Sequence, residues 1–441
     1  MRELFGVMAF VLATGGLEIG TAAPKNLPSV GKSAGKPECI RKIDLKDFGG
    51  MVARFGDLDG DRQADVVFVQ SAGQQITCIT ALDLEGKILW RRGKADAKHR
   101  SLSSDVAVQI YDWDNDKENE VIVIEGKTLR ILNGATGKVE QEAPAPSNDS
   151  ILIANFAGAS RPNDLVIKDR YTNIWVYDKD LKLRWKKSLA TGHFPMNIDV
   201  DGDGRDELLC GYTLFNHDGE VRWEFRKSRS IHDHNDALDI DDMDGDGKPE
   251  IAIACSSDSV LLNTDGKILW RKPHKHSQHA VIGAFAAGKS GKQVVFVDRI
   301  NSRDPKGGIV YCYDKVGNEL WRTAPQGGIT IASTIDGWSG VRNRSFLLLY
   351  RRHKGPPVLL DGSGKIVAEF PFPPAKARSG YGSHFAQHFD ALGDSREEVF
   401  VYNALALWVY RNASPAPADL PKPKRGADRR IYNATFYVGW Q

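Results

Sequence analysis

Short apolar runs recur along the whole chain, separated by polar turns. Examples are VVFV (Val66–Val69), VIVI (Val121–Ile124), LLC (Leu208–Cys210) and IAIA (Ile251–Ala254). None extends into the 3.6-residue periodicity of an amphipathic helix, so the runs predict strands and an all-β chain. A second pattern follows each run: a strand, a polar turn, and a short strand that often ends in Trp. Its copies begin at Leu82 (LDLEGKILW), Leu132 (LNGATGKV), Tyr177 (YDKDLKLRW), Phe215 (FNHDGEVRW), Leu262 (LNTDGKILW), Tyr313 (YDKVGNELW) and Leu360 (LDGSGKIV). Asp-Gly and Asn-Gly pairs between apolar strands are hairpin turns. Trp90, Trp185, Trp223, Trp270 and Trp321 occupy one equivalent position, which predicts packing between repeats.

An acidic loop supplies the ruler for the repeat. It reads DLDGDRQAD from Asp57, DWDNDKENE from Asp112, DVDGDGRDE from Asp199 and DMDGDGKPE from Asp242. Weaker copies start at Asn155, Ala284, Asp336 and Asp390. Eight anchors, each with four strands, predict an eight-bladed β-propeller; seven blades would remain if one weak copy were an insertion. The ring must close, and two segments compete to complete the last blade: Glu38–Leu45 and Ile431–Tyr437.

Composition narrows the class only slightly. The 441 residues carry a net charge of +2, so no global field draws the chain to nucleic acid. Residues 1–23 read as a secretory signal: Arg2, then an apolar stretch too short to span a membrane, then small residues to Thr21-Ala22-Ala23. Residues 24–37 read as a linker, 38–412 as the propeller, and 413–441 as a Pro-rich linker followed by a strand packed on it. No later run is long enough for a membrane helix, and a secreted or periplasmic monomer is expected. The five scattered cysteines (Cys39, Cys78, Cys210, Cys255, Cys312) predict buried thiols, with one bridge left open.

Each strong acidic loop places carboxylates at positions 1, 3, 5 and 9. The sets are Asp57, Asp59, Asp61 and Asp65; Asp112, Asp114, Asp116 and Glu120; Asp199, Asp201, Asp203 and Glu207; and Asp242, Asp244, Asp246 and Glu250. Oxygen donors at that spacing suit a hard cation, and up to four structural Ca2+ ions are expected. The loop joins strands 1 and 2, so the start of strand 1 and the strand 2–3 turn lie on the opposite face. Counting back six residues from the anchors gives His193, Asp236, Gln278 and His384; counting back eight gives His234 and His276. An even spacing puts them on one strand face. With His232, His279 and His388, seven of the eleven histidines fall at strand 1 entrances. The strand 2–3 turns add Arg170, Tyr171, Tyr212, Arg299, Asn301, Arg303, Arg351, Arg352, His353 and Lys354. A rim of Arg, His and Tyr suits an anionic polysaccharide or oligosaccharide. A metal held by His193, His234 and His279 would require the fold to gather them.

The acidic loops resemble those of FG-GAP and VCBS repeats. The segments Thr191–Trp223, His234–Ala254, His276–Phe285 and Gly382–Tyr402 resemble propeller polysaccharide lyases, especially the rhamnogalacturonan-lyase-like group. That resemblance implies β-elimination on a uronic-acid-containing glycan of rhamnogalacturonan or ulvan type. It implies His234 or His193 as base, Tyr212 or Tyr171 as acid, and Arg299 or Arg170 as neutraliser of the carboxylate. Arg170, Tyr171, Asp236, His276, Gln278, His279, Arg351 and His384 would then contact substrate. The alternative is a non-catalytic, calcium-stabilised propeller that binds glycans or proteins. A quinoprotein dehydrogenase, suggested by TGKV and GKILW, would show an adjacent cysteine pair, which this sequence lacks.

Overall fold

Each hairpin pattern closes into one antiparallel four-stranded sheet, and there are eight such sheets in the computed structural model. It describes residues 35–100, 106–193, 195–226, 233–286, 290–299, 308–324, 330–351, 355–373, 383–417 and 420. The sheets are the blades of an eight-bladed β-propeller. Blade 1 runs Val52–Gly56, Asp65–Ala72, Gln75–Asp83 and Ile88–Gly93, and blades 2–7 repeat that order. First strands lie against one another from blade to blade, as in blades 4 and 5 and blades 5 and 6, so they form the inner wall.

Ring closure falls to the N-terminal segment. Pro37–Asp44 pairs antiparallel with Ala406–Asn412 and becomes the outer strand of blade 8. The rival segment Ile431–Tyr437 lies outside the described residues, as do residues 1–34, which carry the proposed signal.

The tryptophans tie neighbouring blades. Trp90 donates its indole N–H to Gly134 O at 2.6 Å, Trp185 to His217 O at 3.1 Å, Trp223 to Thr264 O at 2.8 Å and Trp270 to Lys315 O at 2.9 Å. Every acceptor lies in the strand 3–4 turn of the next blade. The turn glycine has positive φ and lies under the ring: a Cβ on Gly266 would stand 2.7 Å from Trp223 Cδ2. Trp321 meets Gly364 in the same way. The expected inter-repeat role is thus met by a ring contact plus, in four copies, a hydrogen bond.

All five cysteines are free thiols. Four are buried, and Cys39 is exposed on the closing strand.

Candidate functional site

Three blades bring ionisable side chains together at their first-strand entrances. His193 stands just ahead of the first strand of blade 4 (Met196–Ile198), and His234 ahead of that of blade 5 (Asn235–Asp241). His276 occupies the same place in blade 6, ahead of Ser277–Gly283. Backbone bonds fix these entrances to one another. His193 N–H donates to Asn235 O at 2.9 Å, and Thr191 N–H donates to Tyr171 O at 3.1 Å. Blade 4's entrance is thereby clamped between blades 3 and 5.

The cluster centres on Asp236, which is 1% exposed. Its Oδ1 lies 3.5 Å from His193 Nε2 and 3.6 Å from both His234 Nε2 and His276 Nε2. It also accepts Gln278 Nε2–H at 2.8 Å, while Oδ2 accepts the Ser256 hydroxyl at 3.2 Å. The two nitrogens His193 Nε2 and His234 Nε2 are 3.0 Å apart.

A local irregularity aims these groups. Asn235 pairs with Cys255 and Ala237 with Ala254, so Asp236 is the extra residue of a β-bulge. Ser277 pairs with Asp298 and His279 with Val297, so Gln278 is the extra residue of an equivalent bulge. A bulge re-aims a side chain that regular pleating would send elsewhere. Here it turns both residues into the same hydrogen bond.

Burial would push the Asp236 carboxyl up, but hydrogen bonds from His234 and His276 and the nearby imidazoles hold it well below the usual carboxylate range. Burial drives His193 the other way, well below the ordinary histidine value, outweighing the pull of Asp236. We take that pair as a neutral imidazole beside an ionised carboxylate. A second charge in so buried a site costs more than one 3.5 Å contact returns.

Tyr171, in the strand 2–3 turn of blade 3, lies over the cluster. Its ring centroid is 5.5 Å from that of His193 and 5.4 Å from that of His234. Arg170 lies over that ring, its Cζ 5.3 Å from the centroid, and pairs with Asp149 at 3.3 Å. The turn is set by Asp169, whose Oδ1 accepts the backbone N–H of Tyr171, Thr172 and Asn173. Arg299 joins through its backbone N–H, which donates to His276 O at 2.8 Å.

Other expected residues fall elsewhere. Tyr212 is buried in the packing of blades 4 and 5, and its hydroxyl is held by Arg226 at 2.8 Å and Asp233 at 3.2 Å. Burial pushes that phenol far above its ordinary value, which suits a structural role better than proton donation. His279 is buried in the wall of blade 6 and is replaced by Asp236 in the imidazole cluster. His384 packs on Phe372 and Tyr350 at the entrance of blade 8. Arg351 ends the second strand of blade 7. His388 is bonded to Glu397 and Ser333 between blades 7 and 8. His232, Asn301, Arg303, Arg352, His353 and Lys354 lie outside the described residues. Ser256 is the contributor that composition did not announce; its signal was only its place in a blade 5 turn.

The acidic loops occupy the opposite ends of the first strands. In blades 1, 4 and 5, carboxylate oxygens of positions 1, 3 and 5 converge within 4.8 Å; in blade 2, those of Asp112, Asp114 and Glu120 do so. The converging oxygens do not include position 9 in blades 1, 4 and 5, nor Asp116 in blade 2; position 9 bonds the backbone in all four loops. Asp65, Glu120, Glu207 and Glu250 each accept the backbone N–H of position 2, at 2.7, 2.5, 3.0 and 2.9 Å. An all-oxygen set held this way fits a hard cation.

No family model matches the chain. A curated relative does: rhamnogalacturonan endolyase YesW of Bacillus subtilis (strain 168), 25% identical over an alignment of 312 residues that covers 61% of this chain and 47% of the relative. The chain therefore spans about half the length of the curated relative it matches. The fold is similar to the crystal structure of rhamnogalacturonan lyase YesW, at TM-score 0.57 and 18% identity over 87% of this chain and 76% of that one. It is similar to the Bacillus licheniformis rhamnogalacturonan lyase PL11, at TM-score 0.58 and 17% identity over 88% and 76%. The biofilm matrix protein Bap1 of V. cholerae has TM-score 0.59 and 13% identity over 90% and 94%. The chain is a propeller similar to rhamnogalacturonan lyases in sequence and in fold. Among the described residues, no helix is long and apolar enough to cross a membrane.

Proposed function

We propose that this protein is a secreted polysaccharide lyase acting on a uronic-acid-containing glycan, with its active site at the Asp236 cluster. The observation that carries this reading is the convergence of three imidazoles on one buried carboxylate beneath a tyrosine ring. The likeness to rhamnogalacturonan lyases supports the reaction class. β-Elimination needs a base for the proton α to the uronate carboxylate, a cation facing that carboxylate, and an acid for the leaving oxygen. The C–H electron pair becomes the new C=C bond as the glycosidic C–O bond breaks, and the freed oxygen takes a proton.

His276 is the most exposed of the three imidazoles, its side chain 27% accessible against 11% for His234 and 6% for His193. We assign it the proton abstraction, with Asp236 orienting it. This moves the base to blade 6 from the His193 or His234 that the resemblance implied, because those two are more buried and their Nε2 atoms face each other at 3.0 Å. Tyr171, rather than the buried Tyr212, protonates the leaving oxygen. Of the two arginines the resemblance implied, Arg170, which lies against Tyr171, stabilises the developing enolate charge. The four acidic loops bind structural Ca2+ and stiffen the strand 1–2 turns on the far face.

The test is incubation with a panel of uronic-acid polysaccharides in calcium, following the ultraviolet absorbance of the unsaturated product. Wild type should release product, and His276→Ala should lower the rate by about 10²–10⁴-fold. No product from any uronan by a folded, calcium-loaded protein would sink the proposal.

A further inference from the structure

We infer that His193, His234 and Asp236 form a site for a divalent transition-metal ion of the Zn2+ or Mn2+ type, separate from the acidic loops. The three candidate ligand atoms are His193 Nε2, His234 Nε2 and Asp236 Oδ1. Their separations are 3.0, 3.5 and 3.6 Å. A tetrahedral ion with bonds of about 2.1 Å sets its ligand atoms about 3.4 Å apart. The three atoms thus already stand at the spacing of one face of such a polyhedron. An ion bound to all three would lie just off their plane; Tyr171 packs against both imidazoles.

Donor chemistry separates this site from the loops. Two imidazoles and one carboxylate leave positions open and favour a transition metal; the loops offer oxygen alone and favour calcium. The supporting shell is already built. Gln278 Nε2–H and the Ser256 hydroxyl both bond Asp236, and Ser256 also donates to His234 O at 3.1 Å. Such partners orient ligands and raise affinity. The nearby cations do not oppose an incoming ion at full strength. Lys168 is paired with Asp149 at 2.7 Å, and Arg170 with the same carboxylate at 3.3 Å.

The ligand set explains why one carboxylate suffices. A divalent ion on a single Asp leaves a net positive centre facing the open side, where a substrate carboxylate can complete the coordination. That last step rests on the lyase reading; the metal site itself does not.

The full chain, stripped with chelator and returned to excess Ca2+ to fill the loops, is titrated with Zn2+, Mn2+ and Co2+. Bound metal is measured by equilibrium dialysis. Wild type should take up roughly one equivalent of at least one of these ions beyond the calcium, at a set of ligands that excludes the loops. His234→Ala and Asp236→Asn should abolish that uptake. Gln278→Ala should weaken it about 10- to 100-fold, and Asp201→Asn should leave it intact. The visible Co2+ spectrum of wild type reports nitrogen ligation without any variant, should a substitution fail to fold. Wild type that binds no transition metal above calcium, or a His234→Ala variant that keeps it, overturns the inference. The ultraviolet product assay on the same samples keeps the two proposals apart. Metal uptake without product refutes only the lyase, and product without metal refutes only the ion.

Discussion

Gly266→Ala tests the inter-blade tie most sharply. Gly266 has φ +77°, and the added methyl carbon would stand 2.7 Å from Trp223 Cδ2, 2.9 Å from Cγ and 3.1 Å from Cε2. An L residue held in the left-handed region costs about 1–2 kcal/mol. Moving a packed indole to admit a methyl adds about 1–3 kcal/mol. If the ring shift also breaks the 2.8 Å bond from Trp223 to Thr264 O, about 1 kcal/mol more is lost. The sum is about 3–6 kcal/mol with the bond included. Gly73→Ala is the matched control: its φ is +62°, and a Cβ there meets nothing within 4 Å, so only the backbone cost applies. Urea unfolding followed by tryptophan fluorescence, in calcium, should place Gly266→Ala well below Gly73→Ala in midpoint. Equal losses in the two variants would refute the argument, since the tie would then contribute nothing beyond backbone strain.

Two further outcomes are expected. Burial pushes Glu398 up to about 8, although its carboxylate accepts the N–H of Ala391 and Leu392. An acid whose folded pKa is raised contributes stability below its unfolded value that is lost as pH rises through the folded one. Wild type should therefore lose on the order of 2–4 kcal/mol between pH 5 and pH 8 from this group, and Glu398→Gln should remove that slope. Blade 6 already uses the neutral version, since Gln293 Oε1 accepts Ala286 N–H at 2.6 Å. Thermal melts at the two pH values decide the matter. Second, chelation should lower the melting temperature, and Asp242→Asn with Asp199→Asn should shrink that drop, because two of the four loops would lose their first ligand; an unchanged drop would remove calcium from these loops.

The blade count was legible because its signals are local: an Asp-Gly turn and a short apolar run each speak for themselves within ten or so residues. Ring closure was not, because Pro37–Asp44 and Ala406–Asn412 meet only through the whole fold. The cluster was half legible. Counting back from the acidic loops found His193, His234, Asp236, His276 and Gln278, yet the shared-face argument assumed regular pleating. The bulges at Asp236 and Gln278 break that assumption and send His279 into the wall instead. Tyr171 and Tyr212 were indistinguishable in sequence, both in strand 2–3 turns; burial against Arg226 and Asp233 separates them.

The closing strand has a consequence for the order of events during folding. Blades 1 to 7 each join strands adjacent in the chain and can form as soon as their own residues are available. Blade 8 cannot, because its outer strand precedes all the others and its remaining strands follow them. Until the last strand is in place, Pro37–Asp44 is a loose end with an unsatisfied edge, and the inner wall of the ring stays open. Completion therefore carries a long loop-closure delay. A circular permutant that moves Pro37–Asp44 behind Asn412 should shorten that slow phase and leave the finished ring unchanged.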